Sequence, residues 1–186
     1  NVCVEMCRGE IQQIKWAYDV DQSYKQYFYR IKRKTALLIS LCCQLGAMAC
    51  NADQRGIWIM KNYGHCLGIA FQIVDDILDI TADPEVLGKP VGSDIRQGII
   101  TLPMIFAIKD SEQSERVKTL LANRIKTENE VNEAIELIKK SDGIEKSKRI
   151  VQRYIEKGVK NLYELPDIPA RDALIELAEF VGDRTY

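Results

Sequence analysis

Three aspartates at the end of an apolar run are the residues of this sequence best suited to chemistry. Asp75, Asp76 and Asp79 follow an apolar stretch that begins at Ile69. The stretch predicts a buried helix, on which residues three or four positions apart share a face. Carboxylates packed together near a core repel one another unless a cation compensates their charge. We predict that this cation is Mg²⁺, which binds a few carboxylates and completes its shell with water and phosphate oxygens.

A segment containing several glycines and prolines follows the aspartates and offers two further candidates, Lys89 and Asp94. We predict a loop over residues 83–99 that is mobile enough to close over a substrate. Two plainer interpretations remain open from the residues alone. The aspartates could form a solvated patch at a helix end, and the segment could be an ordinary polar connector.

Lys34 and Thr35 stand where a basic, aromatic stretch passes into an apolar one that runs from Ala36 to Cys50. An ammonium and a hydroxyl at the mouth of a buried helix can bind a phosphate oxygen; a solvated basic face with a snorkelling lysine is the alternative.

The sixteen residues from Thr35 to Cys50 rise about 24 Å as a helix, less than a hydrocarbon core of ~30 Å. A bundle helix is therefore predicted rather than a membrane span.

The composition indicates a globular and wholly helical chain. It has 186 residues, of which 46% are hydrophobic, and a formal net charge of −1, which fits one domain over residues 1–186 with a sizeable core. A net charge this close to zero does not suggest a nucleic-acid partner. Apolar residues recur at helical spacing without an alternating strand pattern, so the predicted fold class is all-α.

The six cysteines and the single histidine do not have the spacing of a zinc site, and no Cys-x-x-Cys pair occurs. All six cysteines lie in apolar helical stretches, which favours buried, reduced thiols and a cytoplasmic protein. Glu5, Arg8 and Glu10 interrupt the start of the chain, which argues against a signal peptide. Because the chain opens without Met, we expect a fragment or a processed chain.

Glycine, proline and capping residues mark the helices that must position these groups. Gly9 interrupts the first helix, and Gly64 and Gly68 stand one turn apart on the aspartate helix, so close approaches are expected there. His65 is interpreted as a structural residue of the same helix. The predicted helices cover residues 2–18, 22–50, 55–82, 101–110, 112–123, 128–141, 144–164 and 169–182.

Several spaced motifs together resemble the second aspartate-rich region of the trans-isoprenyl diphosphate synthases. The resemblance rests on Phe71-Gln72-x-x-Asp75-Asp76-x-x-Asp79, Gly88-Lys89-Pro90-x-Gly92-x-Asp94 and Thr101-Leu102-Pro103. It implies an antiparallel helical bundle of the isoprenoid synthase type, here lacking its N-terminal helices. It also implies the head-to-tail condensation of isopentenyl diphosphate onto an allylic diphosphate, with Mg²⁺ as cofactor.

The resemblance assigns roles to individual residues. Arg33-Lys34-Thr35-Ala36 resembles the motif that contacts diphosphate, and Gly9-Glu10-x-x-Gln13 resembles one that faces the active-site cavity. The implied metal ligands are Asp75, Asp76, Asp79 and Asp94. The implied catalytic residues are Lys34, Thr35, Gln72 and Lys89, and the implied substrate contacts are Glu10, Gln13 and Phe71.

Within the family, the sequence resembles the long-chain bacterial enzymes, and among them the catalytic large subunit of heptaprenyl or hexaprenyl diphosphate synthases. This finer placement implies a second polypeptide subunit, or a second copy of the chain, as partner. It also implies a product that becomes the menaquinone side chain. A transient contact with a membrane surface for product release is a further expectation.

Two departures from the family pattern bear on activity. The family has two aspartate-rich motifs, whereas this sequence contains one, so the other motif is expected N-terminal to Asn1 and the chain alone is expected to show little activity. Many relatives carry Lys after the glycine that matches Gly98, whereas this chain has Ile99. One phosphate contact is therefore expected to be missing or supplied otherwise.

Two rival functions share parts of this pattern. A terpene cyclase would use the same aspartate–metal chemistry on an all-α fold, but it normally lacks the Gly-Lys…Asp segment. A non-catalytic, regulatory subunit that binds a Mg²⁺–diphosphate is the other alternative, although it would not need to keep the aspartates and both lysines. The residues expected to set product chain length lie near the other aspartate-rich motif, N-terminal to Asn1.

Overall fold

The computed structural model describes residues 1–83 and 91–184, and within them every regular element is a helix. This confirms the predicted all-α fold class. The helices are α1 (Val2–Lys15), α2 (Tyr24–Ile31), α3 (Leu37–Ala49), α4 (Gln54–Thr81), α5 (Ser93–Gln97), α6 (Leu102–Asp110), α7 (Ser114–Ala122), α8 (Glu128–Lys140), α9 (Gly143–Leu162) and α10 (Pro169–Asp183). A π-helical turn over Lys32–Ala36, here called the π turn, joins α2 to α3.

Two of the predicted elements were wrong in detail. The helix predicted over residues 22–50 is interrupted by the π turn. The loop predicted over residues 83–99 contains α5, which two glycines with positive φ flank, Gly92 at 77° and Gly98 at 71°. Such φ values suit glycine, so these residues start and stop the short helix. Lys89 lies in the segment 84–90, outside the described residues.

The chain divides into two compact units. The first comprises Asn1–Glu10, Arg30–Val74 and Ile150–Arg184; the second comprises Ile11–Tyr29 and Asp75–Arg149 among the described residues. Four helices, α1, α2, α4 and α9, contribute residues to both. The prediction of one domain over the whole chain stays a prediction.

The first unit is built on the close approach of α3 and α4. A Cβ atom at Gly64 would lie 2.7 Å from the Cys43 sulfur and 2.8 Å from the Ile39 carbonyl oxygen, which confirms the close approach expected from the sequence. The Tyr63 hydroxyl donates to the Leu174 carbonyl oxygen at 2.7 Å and so ties α10 to α4. Burial raises the pKa of this hydroxyl, which stays protonated as a donor.

The second unit is centred on α6, whose buried residues include Leu102, Met104 and Ile105. α7 and α8 pack against it. A capping box begins α8: the Thr127 hydroxyl accepts the Glu130 amide, and the Glu130 carboxylate accepts the Thr127 amide at 2.7 Å. These two bonds satisfy backbone amides at the helix start that have no partner within the helix.

The expectation of buried thiols was wrong for four of the six cysteines. Cys66 is buried and Cys43 is half-buried, and burial raises the pKa of both thiols. The exposed cysteines are Cys3, Cys7, Cys42 and Cys50. Their apolar neighbours suggested burial, but α3 also leaves Leu38, Leu45 and Met48 exposed.

Within the described ranges, no helix is both long and apolar enough to cross a membrane.

The capping box gives a test of the second unit. Thr127→Ala removes the oxygen that accepts the Glu130 amide, and we expect the free energy of unfolding to fall by about 1 kcal/mol. Thr127→Ser keeps an oxygen at this position and is the matched control. Urea unfolding followed by far-UV circular dichroism measures both; equal losses for Ala and Ser would contradict a role for the cap.

Candidate active site

The three aspartates lie in the last two turns of α4, as the sequence predicts, but their surroundings differ. Asp75 is exposed, whereas Asp76 and Asp79 are each 4% exposed. All three belong to the second compact unit. Burying a carboxylate is costly unless hydrogen-bond donors replace the lost water, so the donors around Asp76 and Asp79 decide what these residues can do.

Tyr27 supplies one donor to Asp76. Its hydroxyl donates to Oδ2 of Asp76 at 2.6 Å, and the tyrosine itself is 0% exposed. A short hydrogen bond to an ionised acceptor is stronger than a neutral one. The bond restricts the orientation of the carboxylate. Sequence reasoning missed Tyr27, because no spacing rule connects residues 49 positions apart.

Backbone amides supply the donors to Asp79. Its Oδ1 accepts the Ser93 amide at 3.1 Å, and its Oδ2 accepts the Asp94 amide at 3.0 Å. The Gly92 amide donates to the Asp79 carbonyl oxygen at 2.6 Å. Asp79 therefore anchors the start of α5 and brings Asp94, the other predicted ligand, beside it along the backbone.

The aspartates offer oxygen atoms of the kind that Mg²⁺ binds. Carboxylate oxygens are the ligands that Mg²⁺ prefers, and the exposed Asp75 can offer them to an ion that keeps much of its water. Outside residues 84–90 and 185–186, no three Asp, Glu, His or Cys side chains are grouped closely enough to hold a metal. The aspartates therefore supply ligand atoms of the right type for the ion, from the exposed Asp75 and from Asp76, which Tyr27 orients.

The predicted diphosphate contacts lie on the π turn, in the first compact unit. The Lys34 ammonium is 3.8 Å from a carboxylate oxygen of Glu10 on α1. The Thr35 hydroxyl donates to the side-chain oxygen of Gln72 on α4 at 2.6 Å. Four residues predicted to serve the site therefore form two contacting pairs.

The remaining predicted residues are more loosely placed. Phe71 is 36% exposed, and the Arg184 guanidinium lies 5.8 Å from its ring centre. Gln13 is half-buried on α1, nearly one turn after Glu10. The structure groups Glu10, Lys34, Thr35 and Gln72 in the first unit, and Asp75, Asp76, Asp79 and Asp94 in the second. α4 carries members of both groups.

The Tyr27 contact generates a prediction about stability. Tyr27→Phe leaves the buried Asp76 carboxylate with one donor fewer, and we expect a loss of about 1.5–3 kcal/mol in the free energy of unfolding. Tyr63→Phe is the matched control, because it removes an equally buried hydroxyl that donates to a neutral carbonyl. That variant should lose about 0.5–1.5 kcal/mol.

Urea unfolding of both variants at pH 7 measures the difference. A Tyr27→Phe protein as stable as the parent would contradict the role given to this hydroxyl. A loss in Tyr63→Phe as large as that in Tyr27→Phe would remove the distinction between the charged and the neutral acceptor.

Comparison with known proteins places the chain among prenyl synthases. A family model described as Polyprenyl synthetase matches residues 1–138. The chain is 43% identical over 183 residues to heptaprenyl diphosphate synthase component 2 of Bacillus subtilis (strain 168), an alignment that covers 98% of this chain and 52% of that protein. It is 46% identical over 186 residues to the protein of the same name from Geobacillus stearothermophilus, covering 98% and 57%.

Solved structures agree with this placement. The crystal structure of heptaprenyl diphosphate synthase from Staphylococcus aureus superposes with a TM-score of 0.93 at 35% identity, covering 100% of this chain and 58% of the other. The polyprenyl synthase from Caulobacter crescentus CB15, complexed with calcium and isoprenyl diphosphate, gives a TM-score of 0.93 at 31% identity, with 100% and 57% covered.

The chain spans about half the length of the curated relatives that it matches. The fold is that of the all-α isoprenoid synthases, as the sequence resemblance implies. With the family model matching residues 1–138, this chain belongs to the polyprenyl synthetase family.

Proposed function

We propose that this chain carries part of a Mg²⁺-dependent prenyltransferase site, in which isopentenyl diphosphate is condensed onto an allylic diphosphate to give a long-chain polyprenyl diphosphate. The observation that carries the proposal is the state of the aspartates at the end of α4. Asp75 is exposed, whereas Asp76 and Asp79 are buried and hydrogen-bonded. Carboxylates fixed in this way suit a metal–diphosphate site, and membership of the polyprenyl synthetase family supports that chemistry.

The aspartates have different tasks in this proposal. Mg²⁺, when bound, would supply positive charge that neutralises part of the charge of the diphosphate. Asp75 would hold the ion directly, together with the Asp76 carboxylate that Tyr27 orients. Asp79 acts mainly by fixing the segment that begins α5, and Asp94 is the further ligand on that segment.

Lys34 and Thr35 bind the diphosphate in the same proposal. The separation of 3.8 Å between Lys34 and the exposed Glu10 makes this a weak ion pair, so a phosphate group can replace the carboxylate. The hydrogen bond to Gln72 fixes the Thr35 hydroxyl. When the allylic diphosphate ionises, negative charge develops on the leaving group, and a lysine held beside it lowers the barrier.

The allylic cation must then be kept from water until the new carbon–carbon bond forms. Apolar side chains of the helical bundle serve this purpose. Phe71, with a partly exposed ring, is the proposed contact to the isoprenoid, and Glu10 and Gln13 are proposed to face the substrate cavity. Lys89 is proposed, from its sequence motif alone, as a second ammonium for the diphosphate.

The names of the relatives support the finer parts of the proposal. The two heptaprenyl synthase relatives are each named as component 2, so we propose a second polypeptide as partner. A relative from Mycobacterium tuberculosis is named a nonaprenyl diphosphate synthase, which supports a long-chain product. A cytoplasmic location and a product destined for the menaquinone side chain are the remaining proposals.

A regulatory polypeptide that binds Mg²⁺–diphosphate without turning it over is the second candidate function, since it would use the same aspartates and lysines. The terpene cyclase alternative gains nothing from the relatives described above, whose names are those of prenyl diphosphate synthases.

Calorimetric titration with Mg²⁺ and inorganic pyrophosphate tests the proposed site. Asp75→Ala removes the exposed carboxylate, and Lys34→Ala removes the ammonium that replaces water around the phosphate. We expect each variant to bind at least about tenfold more weakly, because Lys34→Ala loses a charged hydrogen bond to the phosphate, worth about 1.5–3 kcal/mol, and Asp75→Ala loses a carboxylate ligand of the ion.

The matched controls are Asp21→Ala and Lys61→Ala, which remove exposed charges of the same kind elsewhere in the chain. Both should bind like the parent. Unchanged binding in Asp75→Ala and Lys34→Ala would contradict the proposed site. Assay with an allylic diphosphate and isopentenyl diphosphate, in the presence of the partner polypeptide, separates turnover from binding alone.

A further inference from the structure

Among the helices that the structure describes, the π turn departs from α-helical geometry, and it carries both Lys34 and Thr35. The Leu37 amide donates to the Lys32 carbonyl oxygen, five residues earlier, where an α-helix would use the residue four earlier. The preceding residues belong to α2 and the following ones to α3. The π turn therefore contains one residue more than an α-helical turn would at the same place.

Local sequence does not explain the widened turn. Lys32, Arg33, Lys34 and Ala36 are good α-helix formers, and Thr35 costs only a few tenths of a kcal/mol against Ala. An unconstrained segment of this composition would continue as a regular α-helix. Contacts from other helices must therefore select the π conformation.

The first such contact comes from α1. Gly9 is buried, and a Cβ atom there would lie 3.0 Å from the Arg33 Cβ and 3.0 Å from the Lys34 backbone nitrogen. The next residue, Glu10, contacts the Lys34 ammonium. On α1, Gly9 thus lies against the backbone of Lys34, and Glu10 contacts its ammonium.

The second contact comes from α4. A Cβ atom at Gly68 would lie 2.6 Å from the Ala36 Cα and 3.1 Å from its Cβ. One turn later on α4, Gln72 accepts the hydrogen bond of Thr35. The pattern of α1 is repeated: a glycine meets the backbone of the π turn, and a nearby side chain holds one of its functional groups.

From this arrangement we propose that Gly9 and Gly68 are positioning residues, which hold the π turn so that Lys34 and Thr35 are presented together to a diphosphate. Losing the inserted residue would rotate the two flanking segments by about 100° relative to each other, the angle of one residue in an α-helix. Lys34 and Thr35 would then lose their partners on α1 and α4. The inference rests on the proposed diphosphate site.

Plain helix packing is the competing explanation for glycine at these positions, and Gly64 provides the comparison. A Cβ atom at Gly64 would lie 2.7 Å from the Cys43 sulfur and 2.8 Å from the Ile39 carbonyl oxygen. This approach is as close as that of Gly68 and lies one turn earlier on α4. It meets regular α3, however, rather than the π turn.

The test compares Gly68→Ala with Gly64→Ala in the full chain. Crystal structures should show that in Gly68→Ala the Leu37 amide no longer donates to the Lys32 carbonyl, whereas Gly64→Ala keeps that bond. Calorimetry with Mg²⁺ and inorganic pyrophosphate should show affinity at least about tenfold weaker in Gly68→Ala, the loss of one charge-assisted contact. Gly64→Ala should stay within about twofold, although both variants lose stability.

Gly9→Ala acts on the same turn from the other helix and replaces Gly68→Ala if the latter does not fold. If the folded variant keeps the hydrogen bond from the Leu37 amide to the Lys32 carbonyl and binds with parental affinity, the proposal is overturned. An equal loss of affinity in Gly64→Ala would also overturn it. If the parent itself fails to bind pyrophosphate, the proposed function fails, while the crystal structures still decide whether these glycines hold the π turn.

Discussion

Two buried carboxylates at the end of α4 impose the constraint on which much of the surrounding structure depends. A buried aspartate is tolerated when donors replace its water, and here the donors come from distant parts of the chain. Tyr27 reaches Asp76 from α2, while Ser93 and Asp94 reach Asp79 from the start of α5. The placement of these elements within their compact unit is thereby tied to the ionisable residues.

Close backbone approach is the corresponding constraint in the other compact unit. Gly64 and Gly68 bring α4 onto α3 and the π turn, and Gly9 brings α1 onto the same turn. A π turn costs more than the α-helix that would replace it unless tertiary contacts favour it. Here those contacts coincide with Glu10 and Gln72, which hold the side chains proposed to bind phosphate. Packing and site geometry therefore share the same few residues.

The sequence was sufficient for the helical class, for most helix bounds and for the aspartate helix, because these follow from apolar periodicity and local breakers. It was insufficient where the outcome depends on contacts between residues far apart. The Tyr27–Asp76 bond and the π turn belong to this class, as does α5, whose start is held by Asp79 fourteen residues earlier. The prediction of buried thiols was wrong at exposed cysteines such as Cys42 for a similar reason. The sequence of an apolar helix face does not reveal whether another element covers it.

The three aspartates of the Asp-Asp-x-x-Asp motif have different surroundings in the structure. Three neighbouring carboxylates are best tolerated when one faces water and the others accept hydrogen bonds that stabilise their charged form. Asp75 takes the first position, and Asp76 and Asp79 take the second. The two buried residues then stiffen the helix end from which the exposed one acts. In the proposed site, this rigid support would hold the ligands Asp75, Asp76 and Asp94 in fixed places, while Asp79 contributes through its hydrogen bonds to the start of α5.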